Sequence, residues 1–210
     1  MPRTITVKGI GRVSAAPDFV VLSMGLESQD MDYEKAMNIA SENIDNLNAA
    51  LEQVSFEKKS VKTTNFNVHT DYEYRRRKDG SNERVFNGYV VSHNLKVEFD
   101  FDSKRLAKAL SAVGSCLAHP QLSIAFTVKD ATAINEEMLR SATANAKRKA
   151  EILCDASGME LGTLLSIDYN WGELNVYSNT RYDMEEECLA VPMMAKCAEI
   201  DMAPDDIDVS

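Results

Sequence analysis

Cys116-Leu117-Ala118-His119 brings a thiol and an imidazole within four positions, the only close Cys/His pair in the sequence. A nucleophilic cysteine needs a neighbouring base or cation to hold it as thiolate. A structural zinc needs about four ligands in spaced pairs. No second pair follows, so these residues read as a loop between helix and strand, with a reactive thiol as the sharper alternative. His69 shares an alternating polar stripe with Asn67, Asp71 and Glu73, which reads as a wet sheet face in preference to a metal site. His93 falls in an apolar stripe and is expected to be a core or interface histidine with a satisfied ring nitrogen. No serine occupies a Gly-x-Ser-x-Gly elbow. Gly9-Ile10-Gly11 lacks the third glycine of a dinucleotide loop and leads into a strand, whereas a phosphate cradle opens a helix. Those glycines are expected to permit a bulge or tight bend. The residues therefore name no catalytic set, no cofactor and no metal ligands.

The other chemistry on offer is charge. Arg75, Arg76, Arg77 and Lys78 form a basic run at a hairpin tip, and a partner with an acidic surface is the ligand such a run would take. From Val176 to Ser210 nine acids stand against Arg181 and Lys196, so this stretch holds −7 of the formal net charge of −10. It is expected to be an acidic tail able to meet the basic tip of a neighbouring copy. The bland alternative is a solvated hairpin tip. Met193, Met194 and Met202 offer either an adaptable binding strip or a tail packed on its own sheet.

Period-two apolar stripes define the strands that must carry these groups. Val20, Leu22, Met24 and Leu26 form one, and Tyr89, Val91, His93, Leu95, Val97, Phe99 and Phe101 form the longest. Others run through Phe66, Val68, Tyr72 and Tyr74, through Leu122, Ile124, Phe126 and Val128, and through Leu165, Ile167, Tyr169 and Trp171. One-sided stripes suit antiparallel sheet with one face packed and one wet. Asn87-Gly88 interrupts its stripe without ending it, which predicts a bulge.

Three helices are expected. Ala36, Ala40, Ile44, Leu47, Leu51 and Val54 predict a helix over 32–54. Leu106, Leu110 and Val113 predict a short one that Asp102 or Ser103 caps. Ile134, Met138, Ala142, Ala146, Ala150 and Leu153 predict a long one that Gly158 stops, its alanines letting the backbone approach a sheet. The fold class is α+β: a mainly antiparallel sheet packed by one long N-terminal helix, one short helix and one long C-terminal helix. The order is β-β-α-β-β-α-β-α-β, followed by an acidic stretch. A single domain over 1–210 is expected, with the acidic tail at 176–210.

A chain of 210 residues buries enough surface to need no staple. A net charge of −10 makes nucleic acid a poor partner, because binding it means neutralising phosphates. No stretch approaches the ~20 apolar residues of a membrane span. Cys116, Cys154, Cys188 and Cys197 show no CxxC spacing, which predicts free thiols. With no signal segment visible, the expectation is a cytoplasmic protein, or a periplasmic one if a leader has been removed.

Val7-Lys8-Gly9-Ile10-Gly11-Arg12-Val13 followed by Ala16-Pro17-Asp18 resembles the N-terminal signature of SIMPL-like domain proteins. The similarity continues through Asn87-Gly88-Tyr89, Phe126-Thr127-Val128-Lys129-Asp130, Ala142 to Ala150, and Gly158 with Leu161-Gly162. This family has periplasmic and oxidative-stress-defence members. The resemblance implies an α+β fold and, for some members, large ring-like homo-oligomers; because relatives finish with a full strand, it also implies a truncated final strand near Ile207. It implies no reaction, cofactor or catalytic residue. The expected function is a non-enzymatic, self-assembling or protein-interaction module, with a homo-oligomer as the partner and a stress or envelope role. The alternative is a hydrolase or redox enzyme with an atypical site near Cys116 and His119 or near His69.

Overall fold

The computed structural model describes residues 3–77, 82–169, 176–184 and 203–209. The strands are β1 (Val13–Ala15), β2 (Phe19–Asp30), β3 (Lys62–Arg76), β4 (Asn82–Asp100), β5 (Gln121–Thr127), β6 (Tyr177–Met184) and β7 (Ile207–Val209). The helices are α1 (Tyr33–Gln53), α2 (Ser103–Gly114) and α3 (Thr132–Ala156), with one 3-10 turn at Lys58–Ser60. The expected α+β class and element order hold. A five-stranded sheet runs β3-β4-β2-β5-β6, and β1 pairs with β7 in a second, two-stranded sheet.

Contacts divide the chain into two compact units. The larger is built from residues 19–125 with 181–203, and its centre is the antiparallel β2–β4 pair, in register with Met24 opposite Leu95. Val20, Leu22, Met24, Leu26, Val91, Leu95, Val97 and Phe99 are buried, as their alternation requires. Ala36 and Ala40 of α1 lie on Val91, with Val68 and Tyr89 packed alongside. Asp32 caps α1 by accepting from the amides of Glu34 and Lys35, and Asp102 caps α2 from Arg105 N at 2.7 Å. Short polar side chains of this kind satisfy donors that the first helical turn leaves open. At Asn87 the β3–β4 register slips between Asp71 and Tyr72. Gly88 takes φ +118° there, and a side chain would meet the Asp30 carbonyl oxygen at 2.7 Å. The bulge expected at Asn87-Gly88 is present, and only glycine suits it.

The smaller unit comprises residues 1–18, 126–180 and 204–210. Ile134 and Met138 of α3 pack on Ile207 and Val209, with Val13, Ala15, Val128 and Val176 around them. Gly158, at φ +67°, ends the helix, and Met159 N–H returns to the Cys154 carbonyl at 2.9 Å. That left-handed glycine just past the last turn is the predicted stop.

Four expectations change here. Ala142 and Ala146 are half-buried and Leu153 is exposed, because this stretch of α3 is covered by residues 7–11 and not by a sheet. Gly9 and Gly11 make no bulge; a Cβ on Gly9 would fall on the Ala142 carbonyl oxygen, and one on Gly11 on that of Met138. The stripe Leu165, Ile167, Tyr169 lies in no strand, and Trp171 falls outside the described residues; the last long strand is β6 instead. The stretch from Val176 is no mere tail, since it supplies β6 and β7 and buries Ser178, Ile207 and Val209.

Candidate interaction surface

β3 and β4 form a long antiparallel hairpin in which Arg76 faces Asn82 near the tip. β3 ends the strand order and pairs with β4 alone among the described strands. Along its fifteen residues only Val68 and Asp71 are even half-buried. Burial of its predicted apolar stripe therefore fails outward: Phe66 is 48% and Tyr74 68% exposed. Aromatic rings cover part of the hairpin. Tyr72 stands edge-on to Phe86 at 5.7 Å, Phe86 to Tyr89 at 5.3 Å, and Tyr89 to Tyr33 at 5.6 Å. Arg84 stacks on Tyr72 with its guanidinium 3.7 Å from the ring centre, a cation–π contact.

The basic tip is more nearly neutral than its sequence. Arg77 holds Glu83 through two nitrogens, Nε to Oε2 at 2.8 Å being one. Arg75 holds Glu73 at 2.9 Å. The pairing with Arg77 lowers the Glu83 carboxyl below its ordinary range. Arg76 is exposed, with no ion pair to another described residue. Lys78 lies outside the described residues. A charged partner would thus meet one unneutralised arginine among the described three, and exposed pairs contribute only about 0.2–1 kcal/mol each.

Across β3, β4, β2 and β5, a shallow polar cavity of about 290 Å³ is lined by Gly25, Glu27, Asn65, Asn67, Ser92, Asn94 and Gln121. Of these residues the sequence reading placed only Asn67 on a wet sheet face. A signal was available, namely the amides of Asn65 and Asn67 at period two on β3, with Asn94 opposite Asn65 on β4. His69 lies on this face, exposed, with Nδ1 3.5 Å from Asn67 Nδ2. Asp71 ties three strands: it accepts from Asn87 at 2.7 Å and from Gln29 at 3.3 Å. Those bonds, that of Asn87 foremost, hold its carboxyl below the ordinary value. Among the described residues no cluster of three metal-ligating side chains forms.

Cys116 and His119 are not brought together as a reacting pair. The cysteine is 5% exposed and free, while His119 is exposed at φ +42°. Their link is backbone, His119 N–H to the Cys116 carbonyl at 3.2 Å. Cys154 is also free, and Cys188 and Cys197 lie outside the described residues, as do Met193, Met194 and Met202.

His93 is half-buried, with the ring-nitrogen partner expected of it. Its Nε2 lies 2.9 Å from Thr63 Oγ1, and its ring stands edge-on to Phe66 at 5.1 Å. Burial lowers its pKa below the ordinary value of 6.5. The unfolded chain therefore binds the proton more tightly, so stability is full above about pH 6.5 and falls as pH drops below that value. The urea midpoint is expected to fall between pH 7 and pH 5.5, and His93→Gln to flatten that slope. Equal slopes in both proteins would remove His93 as the cause.

The chain matches the family model described as "SIMPL: Protein of unknown function (DUF541)" over residues 5–210. It is similar to the 26 kDa periplasmic immunogenic protein of Brucella melitensis, 26% identical over 79% of this chain. The protein of the same name in Brucella abortus is 26% identical over the same share. The chain spans 66% of the length of each relative.

Proposed function

The chain belongs to the SIMPL family, and on that premise we propose that it is a non-enzymatic interaction module that works outside the cytoplasm and self-associates by strand pairing. The observation that carries this is β3, a fifteen-residue edge strand exposed over almost its whole length. An edge of this kind presents a row of unpaired N–H and C=O groups, which is how strand addition recruits a partner. Phe66 and Tyr74 add apolar contact beside that row. Arg76, as the tip cation without a described partner, serves orientation more than affinity. The periplasmic relatives support the extracytoplasmic reading over the cytoplasmic expectation. A buried thiol beside an exposed, strained histidine favours a structural role for Cys116 and His119 over catalysis.

Multi-angle light scattering of the whole chain at tens of micromolar tests this. An assembly larger than one chain is expected. Thr70→Lys with Tyr74→Lys is expected to weaken it about tenfold, roughly 1.4 kcal/mol, because edge lysines oppose strand-to-strand addition. A strict monomer would remove the self-association reading.

A further inference from the structure

Residues 3–12 run extended over α3 without being in a strand. Val7, Gly9 and Gly11 turn inward and are half-buried or buried, while Thr6, Lys8, Ile10 and Arg12 are exposed. Polar side chains of α3 serve one edge of this segment. Ile10 N–H donates to Asn145 Oδ1 at 3.1 Å, Arg12 N–H to Ser141 Oγ at 3.1 Å, and Lys149 Nζ donates to the Lys8 carbonyl at 2.9 Å. All three involve the backbone of even-numbered residues. Successive peptide groups of an extended chain point to opposite edges. The N–H and C=O groups of Ile5, Val7, Gly9 and Gly11 therefore line the other edge, and they have no hydrogen-bond partner among the described residues.

The same unit carries a segment with the converse need. Residues 161–168 lie in no strand, although Leu165 and Ile167 alternate with Ser166 and Asp168 as a strand would, and Leu164, Leu165 and Ile167 are 74%, 78% and 66% exposed. Single exposed apolar residues are ordinary, but a run of them marks a surface awaiting cover. Charge selects what covers it. Residues 1–17 hold Arg3, Lys8 and Arg12 and no acid, whereas 157–180 hold Glu160, Asp168 and Glu173 and no base. Two acidic segments repel each other, and each is complementary to the N-terminal edge.

We propose that residues 161–168 of one copy of this chain pair as a β-strand with the open edge of residues 5–11 in a second copy. This rests on the self-association reading and adds a second pairing surface to it. Backbone bonds supply the register, Leu165 and Ile167 are covered, and the opposite charges at the segment ends set direction. Two copies exchanging segments about a two-fold axis close a dimer, and a head-to-tail arrangement closes a ring.

The test combines light scattering of the wild-type chain, the same measurement on Leu165→Asp/Ile167→Asp, and thiol cross-linking. Both altered side chains are exposed, so the melting midpoint is expected to stay within a degree or two while the dissociation constant rises at least about tenfold. Should that variant melt early, Leu165→Thr/Ile167→Thr takes its place, since threonine keeps strand propensity and removes the apolar cover. Thr6→Cys chains mixed with mass-tagged Ser166→Cys chains are expected to give a disulfide between the two, above the level each gives alone through its native thiols. Unchanged association of the segment variant, or no mixed disulfide, overturns the exchange and leaves self-association through β3 standing. A monomeric wild-type chain overturns both.

Discussion

Leu95→Ala is expected to lower the free energy of unfolding by ~2–5 kcal/mol, the range for emptying a large apolar site in a packed core. Leu95 is 2% exposed and lies opposite Met24 on β2 and Thr63 on β3. Strands flank it on both sides within one hydrogen-bonded ladder, so the surroundings collapse little and most of the void remains. The loss should appear as a lower urea midpoint at constant slope, which marks a stability change without a change in the unfolded state. A shift worth under about 0.5 kcal/mol would show that this face of β4 is not the organising core.

Gly9→Ala carries the second large effect, and its sign is the informative part. At an ordinary backbone conformation, replacing glycine by alanine stabilises by about 0.4–1 kcal/mol through the unfolded chain. Here the new methyl would land on the Ala142 carbonyl oxygen and come within 2.9 Å of the Ala146 methyl. Backbone atoms in the middle of a helix cannot give way, so the N-terminal segment must lift instead. A loss of about 1–3 kcal/mol is expected, as for overpacking elsewhere, with faster amide exchange at Ile10 and Arg12, whose N–H groups rest on Asn145 and Ser141. Gly25→Ala is the matched control. Its Cβ would meet Asn94 Oδ1 at 3.4 Å, an ordinary contact, so no loss is expected. Equal effects at Gly9 and Gly25 would mean that the segment does not hold to α3 as described.

Most strands and all three helices were legible because their signals are local. Period-two apolar residues along β2, β4 and β5 became buried positions directly, since a strand turns alternate side chains to opposite faces. Asp102 and Gly158 act within one turn of a helix end, so they read correctly without knowledge of the rest of the fold. Asn87-Gly88 worked for the same reason, because the stripe on either side kept its phase across the bulge.

What the sequence determined by itself, then, is which side of most strands and helices is apolar and where those elements stop. What covers each apolar side was decided only by the tertiary structure. Phe66, Tyr74 and Leu165 alternate as convincingly as Leu95, yet they stand exposed, because periodicity records that a face is apolar and not whether another element reaches it. Gly9 and Gly11 owe their meaning to a helix more than 120 residues away, and no spacing within a short motif encodes such a contact. Arg75 and Arg77 read as a basic run, and folding turned them into ion pairs by setting Glu73 and Glu83 beside them on a hairpin.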